Sequence, residues 1–218
     1  MITRLKVCCI SSVEEAQLAI QMGVHALGLV GEMPSGPGVI SDAAIQQIAQ
    51  TVPPGVSSFL LTSDTTATGI IDHQKRTGAN TLQLVDALTE GTHTQIKEAL
   101  NGIKVVQVVH VLDEQSVDEA LAAAETADAL LLDSGNPNQA VKVLGGTGKT
   151  HNWNVSRQIV EQTHVPVFLA GGIRAHNVRQ AIDEVQPYGI DLCTGVRTED
   201  TLDPVKLEAG TVLTAKYD

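Results

Sequence analysis

Residues 5–30 read LKVCCISSVEEAQLAIQMGVHALGLV. The run Leu5–Ile10 is short and mostly apolar, and it stops at the polar pair Ser11-Ser12. Ser12-Val13-Glu14-Glu15 then has the form of a capping box, a serine at the cap with a glutamate three residues on. Val13, Ala16 and Ile20 follow on one helical face. Gly23 stands where a helix end takes a left-handed residue, and Ala26–Val30 is apolar again. This is strand, helix, strand. Neither strand-like run alternates apolar with polar, as expected of parallel strands covered on both faces.

The unit recurs along the chain. Ser58–Leu61, Thr81–Val85, Val105–Val111, Ala129–Leu132, Val167–Ala170 and Ile190–Cys193 repeat the apolar run. Between them, Ser116 to Glu119 forms a second capping box with Val117, Leu121 and Ala124 at helical spacing. Val178, Ala181, Ile182 and Val185 make another apolar stripe. Eight runs in 218 residues give roughly 27 residues per unit, close to the repeat of a compact (β/α)8 barrel. A doubly wound open sheet needs fewer strands and often carries an early Gly-x-Gly-x-x-Gly turn, which is absent after the first run. The expected fold is α/β, a single (β/α)8 TIM barrel domain over residues 1–218. Met33–Gly38 and Gly135–Gly148 are its long strand-to-helix loops.

Composition narrows the function. Fourteen Lys and Arg against 25 Asp and Glu leave a net charge of −11, which disfavours a nucleic acid or an anionic membrane surface as partner. Aromatics are only 2%, too few for base-stacking platforms. No apolar run approaches the length of a membrane helix, and no secretory signal is visible. Three cysteines, Cys8, Cys9 and Cys193, make no disulfide framework and fit a reducing cytoplasm.

A barrel places chemistry at the C-terminal ends of its strands. Two signals lie there. Gly145-Gly146-Thr147-Gly148-Lys149, Ala170-Gly171-Gly172-Ile173 and Thr194-Gly195-Val196 follow the last three strands. Glycine turns at such ends let backbone N–H groups reach an oxyanion, so they are candidate phosphate cradles, each with an ordinary tight turn as the alternative. Cys8 and Asp133 end the first and sixth strands and are candidates for paired acid–base work. A small buried hydrophobe and a loop anchor are the alternatives for each alone. Side chains alternate along a strand, so one of Cys8 and Cys9 is expected to face the lumen. His110 ends the fifth strand and is a candidate base, with a hydrogen-bonded structural residue as the favoured alternative. The other histidines, His25, His73, His93, His151, His164 and His176, show no zinc spacing, and no metal site is expected. A Gly-x-Ser-x-Gly elbow is also absent.

These residues carry a resemblance. Lys6-Val7-Cys8, Ala26-Leu27-Gly28-Leu29-Val30, Gln83-Leu84, Leu130-Leu131-Leu132-Asp133, Gly145-Gly146-Thr147-Gly148-Lys149-Thr150 with Trp153, Leu169-Ala170-Gly171-Gly172-Ile173 with Asn177-Val178, and Pro187-Tyr188-Gly189-Ile190-Asp191 with Gly195-Val196 stand in the order and spacing of another family. Over nearly its whole length the chain resembles phosphoribosylanthranilate isomerase, a (β/α)8 barrel of tryptophan biosynthesis. The resemblance implies an Amadori rearrangement of a phosphoribosylamine with no cofactor and no metal, with Asp133 as general acid and Cys8 as general base. It implies a phosphorylated sugar substrate held by Lys6, Gly146, Thr147, Gly148, Gly171, Gly172, Thr194, Gly195 and Val196, with Lys6 or nearby backbone dipoles lowering the Cys8 thiol. Either a monomer or a homodimer fits.

Several positions depart from the family's usual pattern. Cys9 replaces a glycine, and Gly36-Pro37-Gly38 replaces Ser-Pro-Arg, whose arginine is thought to hold the anthranilate carboxylate. Gln83-Leu84-Val85-Asp86 replaces Gln-Leu-His-Gly, and Cys193-Thr194-Gly195-Val196-Arg197 replaces Ser-Ser-Gly-Val-Glu. His151 and Asn152 replace aromatic and acidic residues. Arg197 is left as either a phosphate contact or a loop cover. Two alternatives stay open: the same reaction on a different phosphoribosylated amine, and a barrel that binds a phosphosugar without turning it over.

Overall fold

The computed structural model describes residues 3–135 and 150–215 of the chain. Its elements alternate: β1 (Arg4–Val7), α1 (Val13–Gln21), β2 (Ala26–Val30), α2 (Asp42–Ala49), β3 (Ser57–Thr62), α3 (Ala67–Thr77), β4 (Thr81–Leu84), α4 (His93–Ala99), β5 (Lys104–His110), α5 (Gln115–Ala124), β6 (Ala129–Asp133), α6 (Trp153–Gln162), β7 (Val167–Leu169), α7 (Val178–Val185) and β8 (Gly189–Leu192). A 3-10 turn (Thr194–Val196), a two-stranded hairpin of β9 (Arg197–Thr198) and β10 (Thr201–Leu202), and α8 (Pro204–Ala215) complete it. β1 to β8 pair in sequence order, all parallel, and β8 closes on β1 with Lys6 opposite Asp191. The expected (β/α)8 barrel is the observed fold. Among the described residues no helix is long and apolar enough to cross a membrane.

The strands look uniformly apolar because both faces are covered, yet the two faces differ. Leu5, Val7, Leu27, Leu29, Leu60, Leu82, Leu84, Leu130, Leu132 and Ile190 point outward into a core shared with the helices, where each buried side chain is worth roughly 1.5–3 kcal/mol. The alternate residues fill the lumen: Ala26, Phe59, Leu61, Val106, Val108, Ala129, Leu131 and Phe168. Phe59 and Phe168 meet edge to face at 5.8 Å and occupy the bottom. There Gly189 is required, because a Cβ would lie 2.6 Å from the Phe168 ring. In the same inward phase stand Lys6 and Cys8, Gln83, Asp133 and Asp191. The period of two thus carries the polar groups into the lumen.

Local expectations were met unevenly. Ser12 accepts from the Glu15 N–H at 3.2 Å, but the box is half made, because the Glu15 carboxylate goes elsewhere. The Ser116 box does not form. Ser116 is buried as the second residue of α5, its Oγ accepting from Leu112 N at 3.1 Å. Asp113, accepting from Gln115 N at 2.8 Å, serves the start of α5 instead. In α1 the buried apolar residues are Ala16 and Ala19, with Val13 and Ile20 only partly covered. The hairpin after β8 was not foreseen; Glu199 and Asp200 at its tip both have positive φ, 49° and 59°, as a two-residue hairpin turn requires.

Candidate active site

A cavity opens at the C-terminal end of the barrel, enclosing about 740 Å³ when its open mouth is included. Cys8, Gln83, Asp133, Asp191 and Cys193 supply its polar wall. Gly171, Gly172 and Thr194 form one lip, and Met33, Ser35, Gly36 and Pro37 the other.

Cys8 continues the line of β1, its N–H bonded to Leu192 O at 2.7 Å. Gly28 on β2 leaves room for it: a Cβ there would lie 2.8 Å from Cys8 Sγ and 3.1 Å from Lys6 Nζ. Lys6 is fully buried. Its ammonium pairs with Asp191 Oδ2 at 2.8 Å and sits 5.3 Å above the Phe59 ring. The side chain therefore faces Asp191 and Cys8 and does not reach the glycine turns. Burial is the strongest single influence and favours neutral Lys6, but the charge and hydrogen bond of Asp191 together with Cys8 and Cys9 outweigh it and keep the ammonium charged.

Three acids crowd this one cation, and their environments separate them. The Cys8 thiol is held well below its ordinary value, first by side-chain hydrogen bonds with Cys193 and Cys9, then by Lys6, against the opposing effect of burial. Asp133 is pushed up by burial, with the charge on Cys8 adding to the rise, while the Ser134 N–H at 2.7 Å, His110 and Lys6 oppose it. Asp191 is pushed up to about 7 by burial, which exceeds the help from Lys6. A thiol lowered and a carboxyl raised on one cavity wall is the arrangement that acid–base catalysis uses. His110 Nε2 donates to Val85 O at 3.1 Å, which fixes its ring beside Asp133.

The alternation rule fails at Cys9. β1 ends at Val7, and Cys9 takes a left-handed conformation, φ 64°, so both Cys8 and Cys9 line the cavity. Cys9 Sγ touches Cys193 Sγ at 2.7 Å. Gly38 makes the space: a Cβ there would lie 2.5 Å from Cys9 Cβ and 2.8 Å from its Sγ.

Among the phosphate candidates, Gly171 and Gly172 turn with φ of 81° and 63°, and their N–H groups have no acceptor among the described residues. Thr194 lines the cavity, with Gly195 next to it on the 3-10 turn. Val196 is a correction: it is buried, and its N–H donates to Cys193 O at 3.3 Å. Gly146, Thr147 and Gly148 lie outside the described residues. Arg197 is a loop cover and not a phosphate contact. Its guanidinium is buried against the Glu15 carboxylate, 2.8 Å away, and also donates to the Cys9 carbonyl.

Asp191, Gln83 and Cys193 also belong to the site, though in the sequence they stand out only as members of longer motifs. Their buried polar atoms carry a signal: Gln83 Oε1 and Asp191 Oδ1 have no hydrogen-bond partner among the described residues. Both stand in the inward phase of otherwise apolar strands, which is the clue that could have found them.

Comparison with known proteins follows the same outline. The family model described as N-(5'phosphoribosyl)anthranilate (PRA) isomerase matches residues 5–209. The N-(5'-phosphoribosyl)anthranilate isomerase of Methanocella arvoryzae is 30% identical over 205 residues, 94% of each chain. The N-(5'-phosphoribosyl)anthranilate isomerase 2 of Methanosarcina mazei is 33% identical over 89% of this chain and 85% of its own. The crystal structure of phosphoribosyl anthranilate isomerase from Thermotoga maritima superimposes with a TM-score of 0.79 at 26% identity, covering 98% of both chains. The match spans the barrel from β1 into α8 and contains every cavity residue, so the chain belongs to the N-(5'-phosphoribosyl)anthranilate isomerase family.

Proposed function

We propose that the protein catalyses an Amadori rearrangement of a phosphoribosylated amine, with N-(5'-phosphoribosyl)anthranilate as substrate, as a step of tryptophan biosynthesis. The observation that carries this reading is the opposed displacement of Cys8 and Asp133 on one cavity wall.

The protonated Asp133 carboxyl gives its proton to the ribose ring oxygen. The C1–O bond breaks and the amine nitrogen's lone pair forms the C=N bond. The Cys8 thiolate then removes the proton from C2, and the electron pair moves to give an enolamine, which tautomerises to the 1-amino-1-deoxyketose. Each group needs the protonation state its surroundings favour. Lys6 supports the thiolate, and Gln83 Oε1 and Asp191 Oδ1 are free to accept from ribose hydroxyls. The phosphate lies on the N–H groups of Gly171, Gly172, Thr194 and Gly195. Steady-state turnover of N-(5'-phosphoribosyl)anthranilate, generated in the assay, tests the reading. Cys8→Ser and Asp133→Asn should each lower kcat by roughly 10² or more. Unchanged turnover in either variant sinks the assignment.

One observation favours a second reading. Among the described residues no lysine or arginine lines the cavity, and Gly38 offers no side chain for the anthranilate carboxylate. A missing charge-assisted contact costs about 1.5–3 kcal/mol, so a phosphoribosylated amine without that carboxylate is the alternative substrate. Growth of a tryptophan auxotroph lacking the isomerase separates the two. Failure at good expression favours the alternative.

A further inference from the structure

Three thiols meet at the mouth of the cavity, Cys8 and Cys9 from beyond β1 and Cys193 from beyond β8. Cys9 and Cys193 are 184 residues apart in the chain, yet their sulfurs lie 2.7 Å apart, less than about 1 Å longer than a disulfide bond of ~2.05 Å. The approach is built in. Cys9 holds a positive φ that costs a side-chain-bearing residue about 1–2 kcal/mol. It is pinned there by Arg197 on its carbonyl and by the contact of its Sγ with Pro37 O at 3.6 Å. Gly38 vacates the volume its thiol fills. Cys193 is only half-buried, and both sulfurs border the cavity, within reach of small solutes. A metal does not fit this spacing. Two thiolates on a tetrahedral ion with bonds of roughly 2.3 Å stand about 3.7 Å apart, and no group of His, Cys, Asp and Glu among the described residues is arranged to hold one.

We propose that Cys9 and Cys193 close into a reversible disulfide, formed with a peroxide-class oxidant and reopened by a dithiol, and that this bond switches off the base beside it.

The chemistry starts at Cys8, the thiolate of the three. Its sulfur attacks a peroxide oxygen: an S–O bond forms, the O–O bond breaks, and hydroxide leaves. Cys193 attacks the resulting sulfenic sulfur, forming an S–S bond and releasing water with its own proton. Cys9 then attacks Cys193, and Cys8 departs as thiolate, the best leaving group of the set. The proton lost by Cys9 neutralises the first hydroxide. Two thiols are oxidised to one disulfide while one peroxide is reduced to two waters.

The consequence for activity rests on the reading of Cys8 as the base. Facing it are Lys6 and Cys9 from the β1 side, Asp191 and Cys193 from the β8 side, and Asp133 from β6 with His110 behind it. Closure leaves the lysine and both carboxyls in place but takes the hydrogens from the two sulfurs that share the cavity wall with Cys8, so neither can donate to the thiolate. Cys8 reverts toward an ordinary thiol, and the acid limb of its pH–rate profile moves up.

The test uses the full chain, reduced, freed of reductant and treated with equimolar hydrogen peroxide. Intact mass should fall by two hydrogens. A non-reducing digest should contain a Cys9–Cys193 cross-link with Cys8 still open to iodoacetamide, and dithiothreitol should restore all three thiols. In Cys193→Ser, where Cys8 sulfenic acid lacks that partner, two or more equivalents of hydrogen peroxide should carry Cys8 on to sulfinic acid, which dithiothreitol does not reverse. Oxygen additions without a cross-link, an intermolecular cross-link, or a final bond that contains Cys8 would each overturn the pairing. These readouts need no substrate, so they stand apart from the fate of the isomerase reading. In the oxidised enzyme, neutral-pH turnover should fall roughly tenfold for each unit the acid limb moves. A mapped cross-link with an unmoved limb would overturn the switch.

Discussion

Positions 9 and 38 behave as one site. The family's usual glycine before the first helix is a cysteine here, and its usual arginine in the loop after β2 is a glycine. In the structure the two residues compete for one volume. Gly38→Arg alone places a Cβ 2.5 Å from Cys9 Cβ and 3.0 Å from its Cα, at a φ of 80°. Cys9 Cβ and, at 2.8 Å, Sγ are the nearest atoms, so overpacking against them adds about 1–3 kcal/mol to the ~1–2 kcal/mol of a left-handed non-glycine. Cys9→Gly alone should be nearly neutral, because relief of the same conformational cost at φ 64° offsets the lost burial and the roughly 0.5–1 kcal/mol of added chain entropy. In the double variant only the overpacking vanishes. Urea unfolding in the presence of dithiothreitol should therefore show the double variant more stable than the sum of the singles by about 1–3 kcal/mol. If the restored arginine reaches the substrate carboxylate, KM for N-(5'-phosphoribosyl)anthranilate should fall roughly tenfold or more. Additivity within about 0.5 kcal/mol would refute the shared volume.

Two further outcomes follow from the electrostatics. Glu15→Gln strips the buried Arg197 of its counter-ion and weakens the acceptor for Ser11 N and Leu202 N, so denaturant unfolding should show a loss of about 3–5 kcal/mol; a loss below about 1 kcal/mol would contradict the burial argument. For pH, the proposed mechanism has kcat/KM depend on Cys8 ionised and Asp133 protonated. It should rise with pH through a Cys8 value lying well below the ordinary thiol and fall through an Asp133 value lying above the ordinary carboxyl. Asp191 adds a stability term. With its carboxyl pushed up to about 7, the folded protein keeps a proton that the unfolded chain has lost. Stability should therefore decline as pH rises from ~4 to about 7. Unfolding midpoints across that range should show a flatter slope in Asp191→Asn.

Much of the site was visible before folding was considered. Cys8 and Asp133 stand out because strand ends are where a barrel exposes reactive groups, and the glycine turns follow from backbone chemistry alone. Where local pattern misled, a nonlocal partner had intervened. The Glu15 carboxylate left its capping box for Arg197, 182 residues away, because a buried guanidinium needs a counter-ion more than a helix end needs a second acceptor. Cys9 broke strand alternation because its backbone turned left-handed, something the letters Cys-Cys do not reveal.

By itself, then, the sequence determined the periodic features: eight strand–helix units, an inward phase that carries Lys6, Cys8, Gln83, Asp133 and Asp191, and glycines at the ends of the last strands. Those properties follow from spacing along one chain, where neighbouring residues enforce them. Only the tertiary structure decided which distant groups touch. Lys6 met Asp191, Glu15 met Arg197 and Cys9 met Cys193 because β8 closes on β1, and closure is a property of the whole barrel that no local stretch of residues encodes.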